Sequence, residues 1–114
     1  MTKEDFSKIR IPAKPPHDPY EVYVPILQKH GIKTKAEVNA LRQYIAGKID
    51  TMLEEINQQT MQDVLDGKYT DETQLPLYRN NGKVSNIPPD LMKWIGFYAW
   101  LGDYSKDLGK GHYS

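Results

Sequence analysis

The side chains here that could do chemistry are three histidines, two adjacent carboxylate pairs, a few serines and a glycine–lysine stretch near the end. Zinc needs several nitrogen, oxygen or sulfur ligands at short intervals. His17, His30 and His112 each stand without a partner at such a spacing. General acid–base work needs two carboxylates converging on one substrate. Glu54-Glu55 and Asp71-Glu72 are chain neighbours, and neighbours on a helix point in different directions. Ser7, Ser85 and Ser105 carry no motif of an activated nucleophile. The interval from Gly102 to Gly109-Lys110 is wrong for a phosphate-binding loop, and no Ser or Thr follows the lysine. Around Gly67, Gln62 and Val64 fall where an EF-hand needs oxygen ligands. The expectation is a chain with no catalytic residue, no metal and no cofactor.

Composition narrows the field further. Fifteen basic residues balance fifteen acidic ones, so no global field draws the chain to nucleic acid or an anionic membrane. Without cysteine there are no disulfides and no thiolate chemistry. The start MTKEDFSKIR lacks the apolar run of a signal peptide, and no stretch is apolar enough for a membrane span. The compartment expected is the cytoplasm, or a particle such as a virion.

The element that must organise everything else is residues 34–67. Thr34 followed by Glu37 is a capping box. Val38, Leu41, Ile45, Ile49, Met52 and Ile56 then recur at steps of three and four, one face of a helix. The stripe weakens through residues 57–60 and resumes at Met61, Val64 and Leu65, with Gly67 at the C-cap position. Unbroken, such a helix is about 50 Å long, more than a compact domain of this size accommodates. A break at residues 57–60 is expected, with Thr60 as a second N-cap; the alternative is packing on another subunit. Ala36, Ala40 and Gly47 mark a flank where a second backbone could approach, first of all the last helix. Residues 50–66 hold five acids, Asp50, Glu54, Glu55, Asp63 and Asp66, and no base. Acids near a helix C-terminus oppose its dipole, so this half suits a cationic neighbour.

Before it, residues 1–17 read as an extended arm, with Pro12, Pro15 and Pro16 favouring polyproline geometry. Phe6, Ile9 and Ile11 are its candidate docking residues. Asp18-Pro19-Tyr20-Glu21 opens a helix with Asp18 as N-cap. Pro25 is expected to break or kink it, and Gly31 to end it with Ile32 folded back. After the central helix, Leu75–Arg79 and Lys83–Ile87 flank Asn80-Asn81-Gly82, the signature of a small β-hairpin. Pro88-Pro89-Asp90 then opens a last helix that is apolar nearly all round. Leu91, Trp94, Ile95 and Tyr98 share one face, leaving Phe97 and Trp100 as candidates for an exposed aromatic contact. Residues 103–114 read as a loose tail.

The fold expected is mostly α: three to four helices in residues 18–102 around one long amphipathic helix, with a small hairpin, an N-terminal arm (1–17) and a C-terminal tail (103–114). The function expected is non-catalytic: a small subunit or assembly component, for example of a virion, binding other protein subunits in a homo- or hetero-oligomer. Its interface candidates are Phe6, Ile9, Ile11, Phe97 and Trp100, with the five acids as a second surface. A free-standing adaptor or inhibitor using the acidic face is the alternative. A helical DNA-binding module is third, since Lys33, Lys35, Arg42 and Lys48 are four scattered cations followed by an acidic half.

Overall fold

A computed structural model describes residues 6–14 and 16–109. Three helices carry it: α1 (Pro19–Lys29), α2 (Lys35–Leu65) and α3 (Pro89–Gly109), with a hairpin of β1 (Tyr78–Asn80) and β2 (Lys83–Ser85) between the last two. The chain is thus mostly helical around one long helix, as its sequence predicts. Its longest dimension is 53 Å and its radius of gyration 16.9 Å, above the ~13 Å of a compact domain this size.

Helix α1 begins where Asp18 accepts from the backbone N–H groups of Tyr20 (3.1 Å) and Glu21 (3.4 Å). The break expected at Pro25 does not occur, and the helix runs through it. Tyr23 and Leu27 on either side are buried in the core, which holds the two turns in line despite the missing donor. At its end the Ile32 N–H donates to the Leu27 carbonyl (2.9 Å) and that of Gly31, at φ +73°, to Gln28 (3.1 Å). This is a Schellman cap, and the apolar residue that follows the glycine is folded into the core.

Helix α2 opens with the predicted capping box. Thr34 Oγ1 accepts from the Glu37 N–H (3.1 Å), while Glu37 Oε1 accepts from the N–H groups of Thr34 (2.9 Å) and Lys33 (3.0 Å). The break expected at residues 57–60 is absent, and α2 is one helix of 31 residues. Thr60 is no N-cap: its hydroxyl donates back to the Ile56 carbonyl at 2.7 Å, a bond made inside a helix. Side-chain amides then bridge one turn, Gln59 to Asp63 (3.0 Å) and Gln62 to Asp66 (3.1 Å). Polar residues without Gly or Pro weaken the buried stripe but leave the backbone helical. A second Schellman cap closes α2, Lys68 N–H to Asp63 (2.9 Å) and Gly67 N–H to Val64 (3.0 Å).

The core lies between α1, the first half of α2 and α3. Val38, Leu41, Ile45, Phe97 and Leu101 are completely buried. Around them runs an aromatic chain: Tyr23 to Phe97 (4.7 Å) and Trp100 (5.0 Å), Tyr20 to Trp100 (5.4 Å), and Trp100 stacked on Tyr104 (4.8 Å). Polar ties sit at its edge, the Tyr20 hydroxyl donating to Asp107 (2.7 Å) and Ser105 Oγ to Asn39 Oδ1 (2.8 Å). Tyr104, Ser105 and Asp107 lie beyond residue 102, so the loose tail expected from there is corrected. Helix α3 continues to Gly109 because Tyr104 and Leu108 have apolar surface to bury. The rest of that tail, residues 110–114, lies outside the described residues.

The hairpin forms with the two-residue turn that Asn-Gly favours. Asn81 (φ +53°) and Gly82 (φ +79°) occupy the left-handed region, and Tyr78 pairs with Ser85, Arg79 with Val84 and Asn80 with Lys83. Its strands are three residues each, shorter than the sequence suggests, and mostly exposed. Asn86 fastens its base, its amide donating to the carbonyls of Thr73 (2.8 Å) and Leu75 (2.9 Å).

Candidate functional site

Four of the five apolar interface candidates turn out to be spent on the chain's own core, and the fifth, Phe6, packs against it half-buried. The exposed aromatic contact expected at Phe97 and Trp100 is not found: Phe97 is 0% exposed and Trp100 9%. The faces of α3 explain the difference. Leu91, Trp94, Phe97, Trp100, Leu101 and Tyr104 point inward, and the outward line is Met92, Ile95, Gly96 and Ala99. Ile95 is thereby moved from the expected inner face to the outer. The arm behaves likewise. Ile9 and Ile11 are buried in the same core cluster, and Phe6, in a short 3₁₀ turn (Phe6–Lys8), packs on Tyr44 at 5.5 Å. Residues 6–11 are therefore part of the body, with Phe6 alone half-exposed. Candidate arm residues 1–5 and 15 lie outside the described residues.

The acids divide. Asp50, Glu54, Glu55 and Asp66 are exposed, whereas the Asp63 side chain is largely buried, accepts from Gln59 and has Lys68 Nζ 3.7 Å away. Asp66 accepts from Gln62. The five do not share one face. Asp50 and Glu54, four apart, lie along one line of the helix, and Glu55 and Asp66 lie on another.

The two inner cations of α2 are turned toward α3. The Arg42 guanidinium carbon sits 4.4 Å from the Tyr98 ring centroid, and Lys48 Nζ 5.1 Å from that of Trp94. Glycine at 102 makes room, because a Cβ there would meet the Arg42 guanidinium at 3.1 Å. Lys33 and Lys35 alone of the four candidate phosphate contacts remain exposed at the N-terminal end of α2, which weakens the electrostatic case for a DNA-binding module.

The surface that the sequence did not mark is the outer face of α2. Met61 is 70% exposed, Val64 50% and Leu65 80%. Sequence spacing placed these three in the resumed buried stripe. The step from Ile56 to Met61 is five residues, which turns Met61 and Leu65 away from the buried stripe and onto the exposed line of Ala36, Ala40 and Gly47. With Leu75, Asn57 and Thr60 they line an open, mostly apolar groove of about 520 Å³. Towards the other end, Ala36, Ala40 and Gly47 are exposed, and a Cβ added at Gly47 meets nothing within 4 Å. The close approach expected at this flank is therefore not made by α3. An open hollow of about 610 Å³ lies beside Gly47, lined by Tyr44, Lys48, Thr51 and Met52 among others.

Among the described residues no group of three or more His, Cys, Asp or Glu side chains is arranged to hold a metal ion, and no helix is long and apolar enough to cross a membrane. Chemically, the surface offers contact: dispersion and apolar burial at one end of a helix, charge along its length. No protein-family model, no curated protein and no solved structure matches the chain.

Proposed function

We propose that this protein is a non-catalytic assembly component, a small subunit that acts by protein–protein contact in the cytoplasm or in a particle such as a virion. The contact surface in this reading is the outer face of α2. The observation that carries it is the trio Met61, Val64 and Leu65, half to four-fifths exposed at the end of a helix that outruns the core. Exposed large apolar side chains in a cluster mark contact sites more often than scattered single ones do.

The test is a Met61→Glu, Leu65→Glu double variant, compared with the wild-type chain in material isolated from its source. Both positions are exposed, so the melting temperature should stay within a few degrees of wild type. The wild-type chain should fractionate with a particle heavier than itself, and the variant as the free chain. A variant that still co-fractionates at wild-type yield would remove this surface from consideration.

The adaptor reading shares the same helix and is favoured by the exposed acids Asp50, Glu54 and Glu55. It predicts a one-to-one complex that weakens steeply with salt, whereas a contact led by Met61 and Leu65 is less sensitive.

A further inference from the structure

We infer that the outer face of α2 is a self-complementary surface, and that two copies of this chain pair through it as an antiparallel, two-fold dimer. This rests on the contact reading above and names its partner. Ala36, Ala40, Gly47, Glu54, Met61 and Leu65 follow one another at helical spacing along a single line of α2, and every one of them is exposed. The line is graded: small side chains or none in the first half, the acid Glu54 past the middle, large apolar side chains in the last turns.

Turned antiparallel on a second copy, that gradient fits itself. One register places Leu65 over Ala36, Met61 over Ala40 and Glu54 over Gly47, and the two-fold axis repeats each contact. Large side chains thereby meet small ones, the condition for close helix approach. Charge agrees at the ends: Lys33 and Lys35 are the exposed bases before residue 49, since Arg42 and Lys48 face α3, and residues 50–66 hold five acids and no base. The same register sets Asp66 beside Lys35 of the other copy. The C-terminal end of α2 carries acids and no base, the wrong sign for its own dipole, and antiparallel pairing brings the other copy's Lys35 to it. A parallel pair would instead align acids with acids and leave Met61 and Leu65 without small residues opposite.

The overlap is one helix long, about 45 Å, and about 10–12 Å wide. That places the contact at the small end of specific interfaces, so the dimer is reversible and depends on concentration.

The experiment is sedimentation equilibrium of the purified full chain from about 1 µM to about 1 mM, at about 0.05 M and about 0.5 M salt. Expected is a mass that rises from the 13.2 kDa monomer and levels off at twice that value, with weaker association at high salt. Gly47→Leu is the decisive variant. A Cβ there meets nothing within 4 Å, and leucine favours a helix interior over glycine, so the monomer should melt no lower. Its dimer should weaken more than tenfold, because the added side chain occupies the place of the facing helix. Lys35→Glu should weaken pairing roughly fivefold, and adding Asp66→Lys in the same chain should restore it.

A wild-type chain monomeric at every concentration in low salt would overturn the proposal, as would masses that climb past the dimer or a Gly47→Leu dimer of undiminished strength. A monomeric result on the purified chain leaves the assembly reading to its own test with Met61 and Leu65, so the two failures are told apart.

Discussion

The two halves of α2 are one helix with one backbone and two fates. In the first half, Val38, Leu41 and Ile45 are fully buried, and Arg42 and Lys48 lie against the rings of Tyr98 and Trp94. In the second, Met61, Val64 and Leu65 stand in solvent, and the carboxylates pair with glutamines one turn away. The difference has two sources: Met61 and Leu65 lie on the outward line of Ala36 and Gly47, and the neighbour is short. Helix α3 has 21 residues and α2 has 31, about 31 Å against about 46 Å. Ten residues of α2 have no companion of equal length. How far a helix runs is settled by its own capping residues and the absence of breakers, whereas how much of it is buried depends on the reach of whatever packs beside it.

The largest effects should come from the covered half and its partner. Phe97→Ala should remove about 3–5 kcal/mol and Leu41→Ala about 2–5 kcal/mol in denaturant unfolding. Leu65→Ala, the same chemical change at an exposed site, should alter stability by less than about 0.5 kcal/mol. A cost at Leu65 comparable to that at Leu41 would mean that the far end is covered after all.

The two Schellman caps sharpen the contrast at intermediate size. Their hydrogen bonds are equivalent, but Ile32 is folded into the core where Lys68 is exposed. Ile32→Ala should cost about 2–4 kcal/mol and Lys68→Ala close to nothing. Gly31→Ala and Gly67→Ala should each cost about 1 kcal/mol, since both positions have positive φ. The expected outcome is thus equal effects at the glycines and unequal ones at the residues that follow.

The helix start should show an effect the size of the glycine substitutions. Thr34→Ala should remove about 1 kcal/mol. The N–H groups of Lys33 and Thr34 hold the Glu37 carboxyl below its ordinary value of 4.5. In the unfolded chain it returns to that value, so its contribution is present above about pH 4.5 and is lost as pH falls through the lower folded value. Glu37→Gln should therefore flatten the acid side of the stability curve relative to wild type, measured by melting temperature against pH.

Much of this was legible in local signals. The Asp18 and Thr34 caps, the glycine stops at Gly31 and Gly67, and the Asn-Gly turn depend on bonds made within a few residues, so residue type and spacing suffice to place them. The continuity of α2 was not legible, because a weak apolar stripe and a true break look alike until Thr60 is seen bonding to Ile56. The destination of the aromatic residues was hidden for another reason. A helix apolar nearly all round has no preferred inner face by spacing alone. Phe97 and Trp100 became internal only because Tyr20 and Tyr23 of α1 arrived to meet them. The candidate site was partly legible, since the five-residue step from Ile56 to Met61 turns the apolar line outward, but that this line is left uncovered needed the tertiary structure.

By itself, then, the order of residues determined the starts of α1 and α2, their glycine stops, the hairpin turn and the segregation of charge along α2, because each of these is set by near neighbours in the chain. Tertiary structure decided which apolar residues are core and which are surface. Burial is a relation between segments distant in sequence, and it placed Ile9, Ile11, Phe97 and Trp100 inside while leaving Met61, Val64 and Leu65 without cover.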